Sequence, residues 1–274
     1  MDARLQRRIQ RYGWDRAAPY YEQYWQAQLA PAQARLFELA ELRPGQRVLD
    51  IACGTGLVTL PAARAVGTSG AVAATDISEA MVARVAAEAA AQGLPQVTAS
   101  RMDAEDLQFP EASFDAVLCG LGLMYVPDPL KALQAMLRVL RPGGVASAAV
   151  WGARNRCGWA EIFPIVDARV QSEVCPMFFQ LGTGDRLALT MAEAGFVDIR
   201  ADRIVTELRY ESDEAACGAA FAGGPVALAY SRFDDATRRE AESEYLQSIA
   251  AYRAGDGYAI PGEFVVARAH RATD

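Results

Sequence analysis

The stretch VLDIACGTGL, residues 48–57, decides the fold, because an apolar run meets an acid and then breaks into a glycine-rich turn. The apolar run indicates a buried strand that ends at Asp50 or Ile51. Gly54 and Gly56 have no Cβ, so the backbone of the turn can bend tightly and approach a ligand closely. The stretch therefore predicts a cofactor site at the end of a strand.

Composition restricts the class of protein. The chain has 274 residues, 52% of them hydrophobic, which is enough for one elaborated α/β domain with a sizeable core. Its formal net charge of -7 argues against a large phosphate-binding face, and hence against a nucleic-acid ligand. The five cysteines stand singly and are expected to be reduced thiols. These features favour a small-molecule ligand and predict no metal site.

The N-terminal segment is polar and rich in arginine, so it lacks the apolar core of a secretory signal. No apolar run reaches the ~18 residues of a membrane helix. Lys131 is the only lysine, so arginine supplies nearly all positive charge in the chain. A solvated face, rather than a binding patch, is therefore expected for Arg4, Arg7, Arg8 and Arg11. The chain is expected to be a cytoplasmic protein without a membrane span.

Short apolar runs alternate with helical stretches from residue 47 onward, which is the pattern of βαβ units around a parallel sheet. The expected strands are residues 47–52, 71–76, 97–101, 115–120, 145–150, 196–210 and 263–269. Ser78 is placed to cap a helix that stops at Gly93. Further helices are expected over residues 129–140, where four leucines share one face, and over residues 186–194.

The remaining segments predict two additions to this sheet. Residues 1–44 are expected to form a helical arm that covers the cofactor and substrate site, ahead of a domain over residues 45–274. A charged helical segment at residues 234–253 lies between the last two expected strands. An insertion of this size, about residues 208–260, predicts a helical cap that acts as a lid or as a dimer contact. A homodimer is therefore one possible state of the protein.

Three acids follow three successive strands. The turn lacks the third glycine of a dinucleotide fingerprint, and no Gly-Lys-Ser/Thr follows it as in a phosphate loop. Asp50, directly before the turn, would repel a pyrophosphate and attract a cation. Asp76 can accept both hydroxyls of a ribose, and Asp103 can accept a hydrogen bond from an amine. Because ligands of open α/β sheets sit at the carboxyl ends of the strands, the three acids predict one shared ligand.

The order of these segments resembles the class I S-adenosylmethionine-dependent methyltransferases over roughly residues 46–151. The matching segments are VLDIACGTG (48–56), TDISEAM (75–81), MDA (102–104), FDAV (114–117) and RVLRPGG (138–144). The resemblance implies an α/β fold with a Rossmann-like, seven-stranded, mostly parallel sheet and helices on both faces. It also implies S-adenosyl-L-methionine as the cofactor and S-adenosyl-L-homocysteine as the product.

Under this resemblance the glycine-rich turn holds the methionine part of the cofactor, Asp76 binds the ribose, and Asp103 meets the adenine amino group. Ile77 and Met81 are expected to pack on the adenine, and the backbone of Cys119 to lie near the methionine ammonium. The expected cofactor-binding residues are Asp50, Ala52, Gly54, Gly56, Asp76, Ile77, Met81, Met102, Asp103, Ala104, Cys119 and Tyr20.

Within the superfamily the chain is most similar to the branch that includes the ubiquinone and menaquinone C-methyltransferases. Met124 and Tyr125 stand where the quinone enzymes carry Arg-Asn, and Ala135 replaces the glutamate of that branch. The resemblance therefore implies methyl transfer to a small molecule, without implying a quinone.

The acceptor side of the site is expected to be apolar or aromatic. Candidate substrate-pocket residues are Tyr21, Trp25, Leu123, Trp151, Phe178 and Phe179, with Trp159 as a further candidate. Methyl transfer from a sulfonium is an in-line displacement that depends on positioning and desolvation, so a dedicated base is optional. His270, the single histidine, lies near the C-terminus, and no catalytic residue is assigned.

Several functions stay open at this point. The acceptor atom is nitrogen, sulfur, carbon or oxygen, although a poorly acidic hydroxyl usually needs a base. One alternative is a non-catalytic S-adenosylmethionine-binding partner protein, and another is an NAD(P)-dependent oxidoreductase. The intact acids and glycines favour an enzyme over the first, and the missing third glycine argues against the second.

Overall fold

One mixed sheet forms the centre of the protein, in a computed structural model that describes residues 2–171, 175 and 177–273. Its strands are β1 (Arg47–Ile51), β2 (Ala71–Asp76), β3 (Val97–Arg101), β4 (Phe114–Gly120), β5 (Leu140–Trp151), β6 (Val197–Tyr210), β7 (Arg253–Ala254) and β8 (Gly257–His270). Their order is β3-β2-β1-β4-β5-β8-β6, and β7 pairs with β8 beside this path. Neighbours among β1 to β5 are parallel, whereas β8 is antiparallel to both β5 and β6.

This mostly parallel, Rossmann-like sheet confirms the expected fold class. Seven strands correspond to the seven expected ones, and the two-residue β7 adds an eighth. The chain moves from β1 outward to β3 and then returns to place β4 on the other side of β1. Such a reversal leaves a crevice at the carboxyl ends of the strands, where ligands of open α/β sheets bind.

Two strands are longer than the sequence pattern predicts. β5 begins at Leu140 rather than at residue 145, because the chain after the preceding helix is extended and Leu140 pairs with Phe114. The Arg-Pro-Gly-Gly segment therefore belongs to a strand instead of a separate turn. β8 begins at Gly257 rather than at residue 263, because it pairs along nearly the whole length of β6.

Helices surround the sheet. They are α1 (Ala3–Ala17), α2 (Tyr21–Ala40), α3 (Thr59–Val66), α4 (Glu79–Ala91), α5 (Pro129–Val139), α6 (Ile162–Asp167), α7 (Arg186–Glu193), α8 (Asp213–Cys217), α9 (Ala227–Tyr230) and α10 (Asp235–Ser248). Ser78 caps α4 as predicted, because its hydroxyl accepts a hydrogen bond from the Met81 N–H at 3.1 Å. The Asp128 carboxylate caps α5 by accepting from the Lys131 N–H at 3.0 Å.

The two N-terminal helices occupy the segment expected to form an arm. α1 packs on α4 and α9. α2 lies across β4, β5, β6 and β8, and its Leu29, Ala32 and Leu36 are buried in the same core as the strands. The first helices are therefore packed into the domain, and a division of the chain at residue 44 stays a prediction.

The chain between β6 and β8 contains α8, a π-helical turn over Gly218–Ala222, α9 and α10, within the range expected for a cap. α10 packs on α6 and α8, while α9 packs on α1. The insertion thus meets the N-terminal helix. Across the described part of the chain, every helix is too short or too polar to cross a membrane.

Candidate active site

The turn after β1 places its two glycines in different surroundings. Gly54 (φ 55°) lines a cavity at the carboxyl edge of the sheet, and a Cβ built on it would lie 4.0 Å from the Tyr21 ring. Gly56 (φ 102°) packs against α4, where a Cβ would lie 2.7 Å from Cγ2 of Val85. Gly54 therefore leaves room for a ligand, whereas Gly56 lets the turn pack closely on a helix.

Asp76, the last residue of β2, is held in a fixed orientation at the edge of this cavity. Its carboxylate accepts hydrogen bonds from the Gly54 N–H at 2.9 Å and from the Ser78 N–H at 2.8 Å. Burial raises the pKa of Asp76 to about 6 in spite of these two bonds. Each carboxylate oxygen can accept more than one hydrogen bond, so Asp76 retains acceptor capacity for the hydroxyls of a ribose.

Asp50 lies beneath the turn and is fully buried. The Thr59 hydroxyl donates a hydrogen bond to its Oδ2 at 2.6 Å, while its Oδ1 has no partner among the described residues. Burial raises the pKa of Asp50 to about 7, and the charge of Asp76 adds to this effect. Two buried carboxylates at neighbouring strand ends create a negative potential that a cationic ligand relieves.

Ion pairs attach α1 to the loop after β3. The Arg7 guanidinium contacts the Asp103 carboxylate at 2.8 Å and also pairs with Glu105, which is buried. Glu105 in turn accepts a hydrogen bond from the Asp128 N–H at 2.6 Å. Burial raises the pKa of Asp103, and the positive charge of Arg7 acts against that rise.

α1 is also attached to the start of α4 and to the aromatic residues beside it. The Asp15 carboxylate accepts a hydrogen bond from the Ser78 hydroxyl at 2.6 Å. Trp14 packs edge-on against Tyr21 and Tyr125, with ring centroids 5.7 Å and 5.1 Å apart. α1 is therefore one wall of the cavity.

The cavity has about 990 Å³ of empty space, including a part that is open to solvent, and it follows the carboxyl ends of the strands. On the side of β1, β2 and β3 its lining residues are Ala52, Gly54, Asp76, Ile77, Met81, Met102, Asp103 and Ala104, with Arg7 and Gln10 from α1. Because β5 lies on the other side of β4, the same cavity continues past β4 to Trp151 at the end of β5.

Four aromatic residues from different segments, Trp25, Trp151, Trp159 and Phe178, form this other end of the cavity, the aromatic wall. The ring centroids of Trp151 and Trp159 are 4.9 Å apart, and those of Trp159 and Phe178 are 5.6 Å apart. Trp25 packs edge-on against Trp151 at 6.0 Å and against Trp159 at 6.2 Å. Such packing provides a stiff apolar surface against which a flat ring can stack.

The structure brings most of the predicted site residues to this one cavity. On the cofactor side, every predicted residue between positions 52 and 104 lines the cavity except Gly56. On the acceptor side they are Tyr21, Trp25, Trp151 and Phe178. The roles assigned to these residues stay predictions.

The other predicted residues lie outside the lining. Four of them are buried behind it: Asp50, Gly56, Cys119 and Leu123. Phe179 packs on Phe178 with ring centroids 4.8 Å apart, without lining the cavity. Tyr20 precedes the first turn of α2 and is 47% exposed. Because successive residues of a helix point about 100° apart, Tyr21 rather than Tyr20 lies beside Gly54.

Sequence reasoning missed several lining residues on α1 and in later loops. Arg7 and Gln10 share one face of α1 with Trp14, since their spacings are three and four. That spacing is a usable signal, but it is hidden in a segment with many arginines. Tyr125 and Pro225 reach the cavity through tertiary packing, which no local pattern reports.

The residues on the cofactor side fit S-adenosylmethionine. The unpartnered Oδ1 of Asp50 and the raised pKa values of Asp50 and Asp76 are features of a site suited to a positively charged ligand. The turn at Gly54 leaves room for the methionine part, and Asp76 and Asp103 stand at successive strand ends for ribose and adenine. No group of three or more His, Cys, Asp or Glu residues within residues 2–171, 175 and 177–273 is arranged to hold a metal ion.

Fold and site together fit a class of protein, the Rossmann-like enzymes that bind a nucleoside cofactor at the carboxyl ends of their strands. Residues 48–144 match a family model described as a methyltransferase domain. Over 256 residues the chain is 31% identical to the nocamycin O-methyltransferase of Saccharothrix syringae, and the alignment covers 88% of this chain and 91% of that enzyme. The chain therefore belongs to the S-adenosylmethionine-dependent methyltransferases, and S-adenosylmethionine is its cofactor.

Two further similarities agree with this assignment. Over 108 residues the chain is 44% identical to a ubiquinone/menaquinone biosynthesis C-methyltransferase of Teredinibacter turnerae, covering 39% of this chain and 43% of that enzyme. The structure superposes with a TM-score of 0.62, at 18% identity, on phosphoethanolamine N-methyltransferase 2 of Haemonchus contortus in complex with S-adenosylhomocysteine, covering 94% of this chain and 57% of that one. An oxidoreductase and a non-catalytic cofactor-binding partner are not favoured by these similarities.

Proposed function

We propose that this methyltransferase transfers the methyl group to an oxygen atom of a small, largely apolar, ring-containing molecule, and that this oxygen is already ionised at neutral pH. The proposal rests mainly on one observation, that the aromatic wall contains no side chain able to act as a base. The flat apolar surfaces of that wall support a ring-shaped acceptor.

Among the described lining residues, no side chain is suited to take a proton from the acceptor at neutral pH. The titratable ones are Arg7, Tyr21, Asp76, Asp103 and Tyr125. Arg7 is a cation, and the two carboxylates stand on the cofactor side. Burial raises the pKa values of Tyr21 and Tyr125, so both phenols stay protonated. The acceptor is therefore nucleophilic before it reaches the site.

His270, the single histidine of the chain, does not replace the missing base. It ends β8 opposite Val145, whereas the cavity end of β5 is Trp151, which pairs with Phe264. Six residues of extended strand separate Phe264 from His270, which corresponds to about 20 Å. His270 consequently lies near the opposite edge of the sheet.

The contribution of the chain itself is then to position the reactants and to exclude water. S-adenosylmethionine, when bound, supplies a methyl group on a positively charged sulfur. The buried carboxylates favour this cation, and the aromatic wall holds the acceptor in line and shields it from solvent. Good alignment can supply about 7–11 kcal/mol of the barrier. An oxygen anion stripped of water is also more reactive.

The similarity to the nocamycin O-methyltransferase supports an oxygen acceptor, because it extends over 91% of that enzyme. The similarity to the C-methyltransferase covers only 43% of that enzyme, so it supports the cofactor site rather than the acceptor. An acidic oxygen also reconciles O-methylation with the missing base, since an ionised oxygen needs no proton acceptor.

A panel of acceptors offered with methyl-labelled S-adenosylmethionine tests the proposal. The panel sets 4-hydroxycoumarin and 1-naphthoic acid, which are ionised at neutral pH, against the neutral compounds 1-naphthol and 1-naphthylamine. We expect labelled enol ether and ester from the two acids, at rates that follow the ionisation of the acceptor. Products from the neutral compounds alone would contradict the proposal.

Asp76→Ala is the matched control for this panel. It removes the carboxylate predicted to accept hydrogen bonds from the ribose, each worth roughly 1.5–3 kcal/mol. We expect its affinity for S-adenosylhomocysteine, measured by calorimetry, to fall tenfold or more. Label transfer at low cofactor concentration should fall by the same factor for every acceptor.

A further inference from the structure

Two buried hydrogen-bond donors in the aromatic wall have no partner. The indole N–H groups of Trp25 and Trp159 find no acceptor among the described residues, and both nitrogens are enclosed. Both side chains line the cavity and are only 7% and 5% exposed. A buried donor without an acceptor costs free energy, so a molecule that brings an acceptor to it is bound more tightly.

These two donors come from distant parts of the chain. Trp25 lies on α2, and Trp159 lies between β5 and α6. Their ring centroids are 6.2 Å apart at an interplanar angle of 70°, and Trp151 packs against both. Because the two rings are neighbours, both donors can bind one small molecule. An indole nitrogen donates and never accepts, so the atoms that they bind must be acceptors such as oxygen.

We propose that Trp25 and Trp159 determine acceptor specificity by donating indole N–H hydrogen bonds to an oxygen of a flat conjugated acid. Suitable acids share one negative charge over two or more oxygens, as a cyclic enolised 1,3-dicarbonyl or an aryl carboxylate does. The inference rests on the proposed function, because it names the recognition groups of the same cavity. One oxygen is held by the indoles while another, which shares the charge, attacks the methyl carbon.

The reaction balances without a proton acceptor. The attacking oxygen forms a bond to the methyl carbon as the carbon–sulfur bond breaks, and the sulfur keeps the electron pair. The negative charge of the acceptor and the positive charge of the sulfonium disappear together. The indole N–H groups keep their protons throughout, so their part is to position the acceptor.

The charge distribution of the cavity agrees with an anionic acceptor at the aromatic wall. Among the described lining residues the carboxylates are Asp76 and Asp103, and both lie on the side of β2 and β3. An oxygen anion beside Trp25 and Trp159 therefore stands at the other end of the cavity from these two carboxylates. The unpartnered N–H dipoles of Trp25 and Trp159 are polar groups of this end that can stabilise it.

A turn of the insertion covers one of the donors. A Cβ built on Gly223 would lie 3.5 Å from Nε1 of Trp25, and the next residues, Gly224 and Pro225, line the cavity. Because both N–H groups are enclosed, residues that cover them must move before the acceptor can form hydrogen bonds with them. Displacement of this turn uncovers the Trp25 donor.

Binding of two probes that differ by one oxygen tests the proposal. 4-Hydroxycoumarin carries the ionised oxygen, and coumarin has the same rings without it. Their affinities are measured by calorimetry with S-adenosylhomocysteine present, for the wild type, Trp25→Phe and Trp159→Phe. We expect each substitution to weaken 4-hydroxycoumarin about tenfold more than coumarin, since it removes one hydrogen bond to a charged oxygen.

Phe163→Leu is the packing control. Phe163 packs against Trp159 and Phe178, with ring centroids 6.0 Å and 4.7 Å away, and it does not line the cavity. Its truncation loosens the wall without removing a donor, so it should weaken both probes by the same factor. Unchanged affinity for S-adenosylhomocysteine shows that each variant is folded.

A spectroscopic measurement avoids substitutions altogether. The chain has four tryptophans, so ¹⁵N labelling of the indoles gives four N–H resonances. 4-Hydroxycoumarin should move two of them clearly downfield, and coumarin, whose lactone oxygen is an uncharged and weaker acceptor, should move them much less. Equal losses for both probes, unmoved resonances, or a wild type that binds neither probe at millimolar concentration overturn the proposal. If the acceptor panel gives labelled product but the substitutions do not affect 4-hydroxycoumarin more than coumarin, only the role of the indoles is refuted. If the substitutions show that difference but no labelled product forms, only the proposed function is refuted.

Discussion

Replacing Asp50 with asparagine removes a buried charge and keeps the shape of the side chain. Burial raises the pKa of Asp50 from 3.8 to about 7, so the folded chain holds a proton there in a range where the unfolded chain has released it. The free energy of unfolding therefore falls as the pH rises from about 4 to about 7, and this contribution is constant above 7. Between pH 5 and pH 8 the loss is about 3 kcal/mol, because the slope is about 1.4 kcal/mol for each pH unit and flattens as the carboxyl titrates near pH 7.

Urea unfolding without cofactor at pH 5 and pH 8 measures this effect. From pH 5 to pH 8 the free energy of unfolding should fall by about 3 kcal/mol more in the wild type than in Asp50→Asn. The amide oxygen of the asparagine can still accept the hydrogen bond from Thr59. Asp256→Asn removes an exposed carboxylate and should keep the pH dependence of the wild type. Equal pH dependence in the wild type and Asp50→Asn would refute the argument that burial sets this pKa.

The same carboxylate couples cofactor binding to pH. A cation beside Asp50 and Asp76 favours their ionised forms, so the affinity for S-adenosylmethionine should rise between pH 5 and pH 8. Calorimetry at pH 6 in two buffers with different ionisation enthalpies should detect release of protons on binding. Asp50→Asn should release fewer protons and bind more weakly. A wild type that releases none at pH 6 would contradict this coupling.

Three further outcomes are expected. Gly56→Ala should lower the free energy of unfolding by roughly 2–4 kcal/mol, because the turn has φ 102° and the new Cβ would lie 2.7 Å from Val85. In urea titrations, Val85→Ala in the same chain should restore part of the lost free energy of unfolding. Arg7→Ala leaves a buried acid unpaired and should speed release of S-adenosylhomocysteine in stopped-flow traces, whereas the exposed Arg8→Ala should not. Tyr21→Phe should keep the pH profile of kcat, since burial holds the phenol protonated, and a shifted profile would make Tyr21 a proton acceptor after all.

The cofactor side of the site is predictable from sequence because its information is local. Asp76 is the last residue of β2 and Asp103 stands two residues after β3, and a parallel sheet turns the order of strands along the chain into adjacent positions at one edge. The contact of Arg7 with Asp103 is not predictable in this way, because it depends on the angle at which α1 crosses the ends of the strands. The unpartnered indoles of Trp25 and Trp159 are equally hidden, since a missing partner is a property of the packed surroundings and not of a residue type.

The two ends of the cavity differ in which parts of the chain build them. The methyltransferase-domain match covers residues 48–144, which contain β2, β3, all of β1 except Arg47, and the acids of these strands. The aromatic wall lies wholly outside that range, because it is built from Trp25, Trp151, Trp159 and Phe178. Under the proposed function, a substitution in the wall is therefore expected to change the acceptor without altering the contacts of Asp50 or Asp76. For the same reason, similarity to a relative aligned only over the central segment supports an inference about the methyl donor. Under the proposed function, an inference about the acceptor needs a relative that aligns over nearly the whole chain.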